Sequence, residues 1–223
     1  MPNQEKTEGT PQERKKRGLA LVISAPSGAG KTSILFMYLK RHPEVVFSVS
    51  VTTRPPRAGE RDGRNYHFVS PAEFESLQNN GELLEWNQVY GNRYGTPKKP
   101  FIDSLEQGRT IILDTDTVGA LNIKKLYPEA VLVFIIPSSP EILRERLSRR
   151  NTETRERLEQ RLSASPGEIA RMEEYDYIII NDDLKVAVSE FSAIIEAERQ
   201  RSSRVIETLD QWRNYPHGRI QNP

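Results

Sequence analysis

The fold is decided by residues 19–33, which read Leu-Ala-Leu-Val-Ile-Ser-Ala-Pro-Ser-Gly-Ala-Gly-Lys-Thr-Ser. The apolar run from Leu19 to Ile23 has the length and the β-branched content of a buried strand. A turn with Gly28 and Gly30 follows, and the apolar-rich stretch after it predicts a helix. Strand, glycine turn and helix in this order are the context of a phosphate-binding loop.

The turn has the chemistry that a nucleoside triphosphate requires. Glycines let backbone N–H groups converge on phosphate oxygens, and the helix N-terminus adds partial positive charge. We expect Lys31 to reach the terminal phosphates and the Thr32 hydroxyl to bind Mg²⁺. Ala25 stands where the pattern G-x-x-x-x-G-K-[ST] has glycine, and alanine fits there wherever φ is negative. The alternative is a glycine-rich turn before an ordinary helix.

Composition narrows the class of protein. The chain has 223 residues, a net charge of +1 and no cysteine. These values predict one compact domain, no disulfide or thiolate metal site, and a reducing, cytoplasmic location. The balanced charge predicts no nucleic-acid partner, and no apolar run approaches the roughly 18 residues of a membrane span. Residues 1–17 are polar and predict a disordered leader rather than a targeting signal.

Strands and helices alternate along the rest of the chain. The strands are almost wholly apolar, which predicts a parallel sheet covered by helices on both faces. Residues 45–51 and 83–90 are predicted strands, 91–95 a turn, and Thr96 the N-cap of the next helix. The alternation breaks at about residues 50–95, which indicates a small inserted subdomain.

Two acids follow a further predicted strand, residues 110–113. Because ligands bind beyond the carboxyl ends of parallel strands, we expect Asp114 and Asp116 to point towards the phosphate loop. Carboxylates there suit a Mg²⁺ hydration shell or the N–H donors of a nucleotide base. Asp116 also fits the N-cap of the helix predicted from Thr117.

Arginines in two regions suit phosphate binding. Arg54 and Arg57 stand three apart in a proline-stiffened loop, and guanidinium groups bind phosphate in a bidentate manner. Two solvated surface arginines are the alternative. Residues 144–161 interleave arginines with acids, which predicts either ion pairs along a helix or a mobile flap that closes onto the transferring phosphate.

Glu85, in the run Leu83-Leu84-Glu85-Trp86, is a candidate for base recognition. A carboxylate accepts two N–H donors side by side, which guanine presents at N1 and N2, whereas adenine has an acceptor at N1. A buried Glu85 would reject adenine because its carboxylate would be left unpaired. An acid on the exposed face of a strand is the alternative.

Five blocks of sequence, taken in order, resemble the guanylate kinase family. The resemblance extends over about residues 18–199 and is specific, because a phosphate loop alone occurs in many nucleotide-binding proteins. Members of this family also accept alanine at the position of Ala25. The blocks are residues 24–31, 48–57, 63–69, the pair 84–86 with 91–96, and 180–184.

The resemblance implies a P-loop α/β fold in three layers, with a parallel sheet core, an inserted mixed α/β GMP-binding subdomain and an arginine-rich helical lid. It also implies transfer of the γ-phosphoryl group of ATP to GMP, with dGMP as a further acceptor and Mg²⁺ as cofactor. We leave the oligomeric state at monomer or homodimer. The implied parts are a core of residues 18–49, 97–143 and 166–200, a GMP-binding subdomain of residues 50–96, a lid of residues 144–165, and a tail of residues 201–223.

Positions that match the family's motifs imply the site residues. The resemblance implies that ATP contacts Ser27, Gly28, Ala29, Gly30, Lys31, Thr32 and Ser33, with Asn181 near adenine. It implies that GMP contacts Ser50, Glu85 and Asp114 through guanine, Arg54, Arg57, Tyr66 and Tyr94 through phosphate, and Thr96. The implied catalytic residues are Lys31, Arg54, Arg150 and Arg161, and the metal candidates are Thr32 and Asp116.

Two other interpretations stay open on sequence alone. A guanylate-kinase-like binding module of a scaffold protein would lack catalysis, although such modules typically lose the phosphate loop that is present here. A kinase for another small phosphate acceptor would keep the loop and change the acceptor site.

Overall fold

The computed structural model describes residues 17–57, 59–89, 91–148 and 166–205. The strands in these ranges are β1 (Leu19–Ser24), β2 (Val46–Ser48), β3 (Val51–Thr52), β4 (His67–Phe68), β5 (Leu83–Val89), β6 (Asn92–Pro97), β7 (Thr110–Asp114), β8 (Val131–Ile136) and β9 (Tyr177–Ile180). The helices are α1 (Lys31–Arg41), α2 (Pro71–Asn79), α3 (Lys98–Glu106), α4 (Thr117–Leu126), α5 (Pro140–Ser148), α6 (Leu184–Arg199) and α7 (Ser202–Val205). Residues 166–169 are also helical. Within the described ranges, no helix has the length and apolar character needed to cross a membrane.

The central sheet has the order β2-β7-β1-β8-β9, and each of its strand pairs is parallel. Strand β1 lies in the middle and is buried on both faces. Leu21 and Ile23 pack with Phe191 of α6 and residues of α1, whereas Val22 packs on the opposite face with Phe101 of α3 and Ile123 of α4. Helices therefore cover both faces, which confirms the predicted three-layer α/β fold.

A second, mixed sheet has the order β4-β3-β6-β5. Strand β3 pairs parallel with β4 and antiparallel with β6, and β5 pairs antiparallel with β6. Helix α2 begins at a capping box in which Ser70 and Glu73 satisfy each other's backbone N–H groups. Phe74 of this helix is fully buried.

Three predictions about local structure are wrong, each because strand pairing overrides a local pattern. Residues 45–51 do not form one strand, since β2 joins the central sheet and β3 joins the second sheet. The predicted turn at 91–95 is confined to the neighbourhood of Gly91, and β6 begins at Asn92 because it pairs with β5. Thr96 lies within β6, and the N-cap of α3 is Pro97.

A buried ion cluster attaches helix α7 to the core. Glu198 is 1% exposed and accepts a hydrogen bond from the Tyr177 hydroxyl at 2.7 Å. Its carboxylate lies 3.1 Å from Nε of Arg201 and 3.8 Å from a terminal guanidinium nitrogen of Arg204. Arg204 in turn donates to the carbonyl oxygen of Gly18 at 3.1 Å, at the start of β1.

We expect Glu198→Ala to lower the free energy of unfolding by about 3–5 kcal/mol, because Arg204 would keep a buried charge without its partner. Urea denaturation measures this loss. Glu190→Ala, an exposed acid on the same helix, is the matched control and should change the free energy by less than about 0.5 kcal/mol. Equal effects of the two substitutions would contradict the role given to the cluster.

Candidate active site

A cavity of about 290 Å³ opens where the loop after β1, the end of β7 and the second sheet meet. This is the edge of a parallel sheet at which ligands bind, beyond the carboxyl ends of the strands. Most of the site residues predicted from the sequence therefore line this cavity. They are Ser27, Gly28, Gly30, Lys31, Thr32, Ser50, Arg54, Arg57, Tyr66, Glu85, Tyr94, Asp114 and Asp116.

The other predicted residues lie elsewhere. Ala29 is buried beneath the loop, and its carbonyl oxygen accepts a hydrogen bond from Asn181 Nδ2 at 2.7 Å. Asn181 thus braces the phosphate loop from below. Ser33 lies in the first turn of α1. Arg150 and Arg161 fall outside the described residues, as do the greater part of the predicted lid and residues 1–16.

Two loop positions require glycine. Gly28 and Gly30 have φ of 91° and 93°, a region that side chains with a Cβ rarely adopt. A Cβ at Gly28 would lie 2.9 Å from the Leu147 side chain, and one at Gly30 would overlap Asn181 Nδ2. The backbone of the loop is therefore held close to the core, with Lys31 beginning α1 directly after it.

Lys31 forms an ion pair with Asp114, the last residue of β7. Both side chains are partly exposed to the cavity, and β7 lies next to β1 in the sheet. The structure thus joins the two residues that sequence analysis had assigned to different substrates. A cation and an acid therefore meet in the cavity at the carboxyl ends of two neighbouring strands.

Asp116 is the N-cap of α4. Its Oδ1 accepts hydrogen bonds from the backbone N–H groups of Val118 at 2.8 Å and Gly119 at 3.0 Å. Asn87 Nδ2 lies 3.4 Å from the other oxygen, Oδ2. The capping alternative is therefore what this structure displays. Thr32 and Asp116 both line the cavity, and their hydroxyl and carboxylate oxygens are ligands of the type that Mg²⁺ prefers, so the residues present fit this ion.

Glu85 is buried, being 8% exposed, so the alternative of an exposed strand acid is wrong. Its Oε1 accepts a hydrogen bond from the Thr96 hydroxyl at 2.6 Å. Burial raises the pKa of the Glu85 carboxyl to about 7, partly offset by the Thr96 hydrogen bond and reinforced by the charge of Asp116. A carboxyl group that titrates near neutral pH on a cavity wall is typical of a functional site.

Arg54 is held by an acid that sequence analysis missed. Its terminal guanidinium nitrogens donate to both oxygens of Glu60 at 2.9 Å, and Glu60 also accepts the backbone N–H of Arg57 at 2.7 Å. The guanidinium carbon lies 5.3 Å from the centre of the Tyr66 ring. Arg54 is therefore ordered rather than solvated. The signal in the sequence was an acid three residues after Arg57.

Glu168 is a second residue that sequence analysis missed. It follows the predicted lid in the chain and lies on the cavity wall. Burial raises the pKa of its carboxyl to about 7, while the charge of Lys31 lowers it and that of Asp116 raises it. Nothing in the local sequence marks this glutamate, because its place on the cavity wall depends on tertiary packing and not on its neighbours in the chain.

A phosphate-binding loop at the end of a central parallel strand, facing arginines and a buried acid on a second sheet, defines a P-loop phosphotransferase of small molecules. Comparison with known proteins narrows this class. The family model described as guanylate kinase matches residues 17–198, and the chain belongs to the guanylate kinase family.

Curated relatives and solved structures agree with this membership. The guanylate kinase of Carboxydothermus hydrogenoformans is 47% identical over 189 residues, which cover 85% of this chain and 93% of the relative. That of Symbiobacterium thermophilum is 48% identical over 199 residues, covering 87% and 94%. The crystal structure of guanylate kinase from Anaplasma phagocytophilum superposes with a TM-score of 0.72 at 35% identity, covering 88% of this chain and 96% of that one.

Proposed function

We propose that this chain transfers the γ-phosphoryl group of ATP to GMP, giving ADP and GDP, with the residues of the cavity in the roles that follow. The observation that carries the proposal is the buried acid Glu85 on the same cavity as Lys31 of the phosphate loop. One wall suits a triphosphate, and the other suits a base that presents two neighbouring N–H donors.

The donor half of the site is the loop after β1. The backbone N–H groups of residues 27–33 cradle the ATP phosphates, and the charge of Lys31 offsets the charge that moves during transfer. Asn181 supports the loop through its hydrogen bond to Ala29, and we assign it to the adenine side of the site. When Mg²⁺ is bound, held by Thr32 and Asp116, it neutralises charge on the phosphate oxygens.

The acceptor half is built from the second sheet, its connecting loops and the end of β7. Glu85 accepts the guanine N–H donors, assisted by Ser50, Thr96 and Asp114. The phosphate of GMP binds the two arginines and two tyrosines of the cavity, where Arg54 is already oriented by Glu60 and by the Tyr66 ring. These residues are Arg54, Arg57, Tyr66 and Tyr94.

Catalysis then follows from alignment. Because transfer of a phosphoryl group demands little covalent chemistry from the protein, holding the two nucleotides in line and neutralising charge accounts for the rate. We assign Arg150 and Arg161 to a lid of residues 144–165 that closes over the transferring group and excludes water.

The GMP-binding subdomain of this proposal comprises residues 50–96. The absence of cysteine from the sequence supports a cytoplasmic enzyme.

An ADP-release assay across GMP, dGMP, AMP, CMP, UMP and dTMP tests the proposal. We expect turnover with GMP, and a smaller rate with dGMP. Turnover with a different acceptor alone would favour a kinase of another substrate class. If a folded protein released no ADP with any of these acceptors, the result would favour a binding module. Light scattering in the same buffer distinguishes a monomer from a homodimer.

The acidity of Glu85 makes GMP binding depend on pH. At pH values below its pKa of about 7, the Glu85 carboxyl is protonated and presents an O–H donor to the guanine N–H groups. We expect KM for GMP to rise by about tenfold for each pH unit below that value, with KM for ATP much less affected. Steady-state kinetics between about pH 5.5 and 8 measures both constants. An unchanged KM for GMP across this range would remove Glu85 from the base site.

A further inference from the structure

Gly119, in the first turn of α4, packs directly against the carboxylate of Glu85. A Cβ atom at this position would lie 2.8 Å from Glu85 Oε2 and 3.3 Å from Glu85 Cδ, and it would overlap the Thr115 hydroxyl oxygen. Real Cβ atoms do not approach other heavy atoms below about 3.0 Å. A side chain at position 119 would therefore displace the buried carboxylate.

Space, rather than backbone conformation, requires glycine here. Gly119 is helical, and it is not among the glycines with positive φ in the described ranges. Alanine is a better helix former than glycine in a helix interior, so local propensity favours alanine at this position. The glycine is explained by what it contacts.

Hydrogen bonds hold the backbone of Gly119 in place next to Glu85. The N–H group of Gly119 donates to Asp116 Oδ1 at 3.0 Å, which is one of the two hydrogen bonds that cap α4. The neighbouring N–H of Val118 donates to the same oxygen at 2.8 Å. The first turn of α4 is thus held by its cap at the place where Glu85 packs against it.

We propose that Gly119 is a positioning residue for recognition of the acceptor base, because the space it leaves determines where the Glu85 carboxylate lies. One carboxylate oxygen, Oε1, is held by the Thr96 hydroxyl at 2.6 Å. The other, Oε2, occupies space that a Cβ at position 119 would enter, since that atom would lie 2.8 Å from it. The inference rests on the proposed function, in which Glu85 accepts the N–H donors of guanine.

Gly119→Ala tests the proposal. We expect KM for GMP to rise by about 10- to 100-fold, with KM for ATP within about twofold of the unsubstituted value, because a displaced carboxylate misaligns its hydrogen bonds. Gly167→Ala is the matched control, since Gly167 is helical and a Cβ there would meet no atom of the described residues within 4 Å. The control should leave both constants unchanged.

A second variant keeps the proposal testable if Gly119→Ala does not fold. Glu85→Asp shortens the side chain by one methylene and withdraws the carboxylate from position 119. In that background, adding Gly119→Ala should change KM for GMP by less than about threefold, because the Cβ no longer meets the shortened carboxylate. A double variant that also fails to fold would show that the clash of the Cβ with Thr115 Oγ1, which Glu85→Asp does not relieve, is what requires glycine at this position, and this overturns the proposal.

The remaining outcomes are also decisive. A folded Gly119→Ala protein with KM for GMP within twofold of the unsubstituted value overturns the proposal, as does an equal rise in both Michaelis constants. Glu85→Gln, assayed in parallel, distinguishes failure of the inference from failure of the proposed function. If Glu85→Gln leaves KM for GMP unchanged, the assignment of Glu85 to the base is what fails.

Discussion

Replacing Lys31 with alanine is expected to lower kcat by at least ~10³-fold while leaving the fold intact. Lys31 is the cation of the phosphate loop, on the cavity wall and partly exposed, and it pairs there with Asp114. Removal of its charge leaves the moving phosphoryl group without a partner at the point where charge develops. Stability depends on it much less, because both members of the pair remain in contact with solvent.

The measurement is a coupled assay of ADP release at saturating ATP and GMP, together with a thermal unfolding curve. Lys40→Ala is the matched control, an exposed lysine on the same helix, and it should keep the unsubstituted kcat. A folded Lys31→Ala protein with normal kcat would refute the proposed role of the loop. A variant that unfolds at a much lower temperature would show a structural role instead.

The second large effect concerns Glu85. Glu85→Gln should lower kcat/KM for GMP by about 10²-fold or more and reduce the preference for GMP over AMP. Glutamine has one acceptor and one N–H donor group, so one of the guanine N–H groups would face a donor. Two neighbouring donors require two neighbouring acceptors, and the ionised carboxylate is the side chain that supplies them.

The free energy of unfolding of Glu85→Gln, unlike its activity, should not fall. The Glu85 carboxyl has its pKa raised by burial from 4.5 to about 7, so its favourable contribution is complete below pH 4.5 and is lost as pH rises through 7. Glutamine does not titrate, and Glu85→Gln should therefore be at least as stable as the unsubstituted protein at pH 8. Kinetics with GMP and AMP, and urea denaturation at pH 5 and 8, measure the two effects.

Glu75→Gln, an exposed acid on α2, is the control for both measurements. It should alter neither the acceptor preference nor the dependence of stability on pH. Unchanged kcat/KM for GMP in Glu85→Gln would exclude Glu85 from base recognition. A loss of stability at pH 8 equal to the loss of activity would assign Glu85 to the fold.

The parts of this site that the sequence predicts correctly depend on short-range order. The strand β1, the glycine turn and helix α1 follow one another within residues 19–41, so apolar pattern and glycine spacing suffice to place them. Asp114 was predictable at the cavity because a strand's last residue lies at the sheet edge where ligands bind.

The predictions that failed depended on pairing between distant residues. Whether residues 45–51 form one strand or two is decided by which sheet each half joins, and alternation of apolar residues contains no such information. The strand β6 exists because β5 lies beside it, although its own residues resemble a turn. The hydrogen bonds between Arg54 and Glu60 likewise depend on the tertiary structure that brings the two side chains together.

The sequence by itself determined that a nucleoside triphosphate loop is present, and its ordered motifs indicated the family, because both are read from neighbouring residues. Only the tertiary structure decided how the part of the cavity around Glu85 is made. Glu85, Thr96 and Gly119 come from β5, β6 and α4, and they meet because β5 pairs with β6 and helix α4 packs against β5. Burial then raises the pKa of Glu85, and burial is a property of that packing rather than of any segment alone.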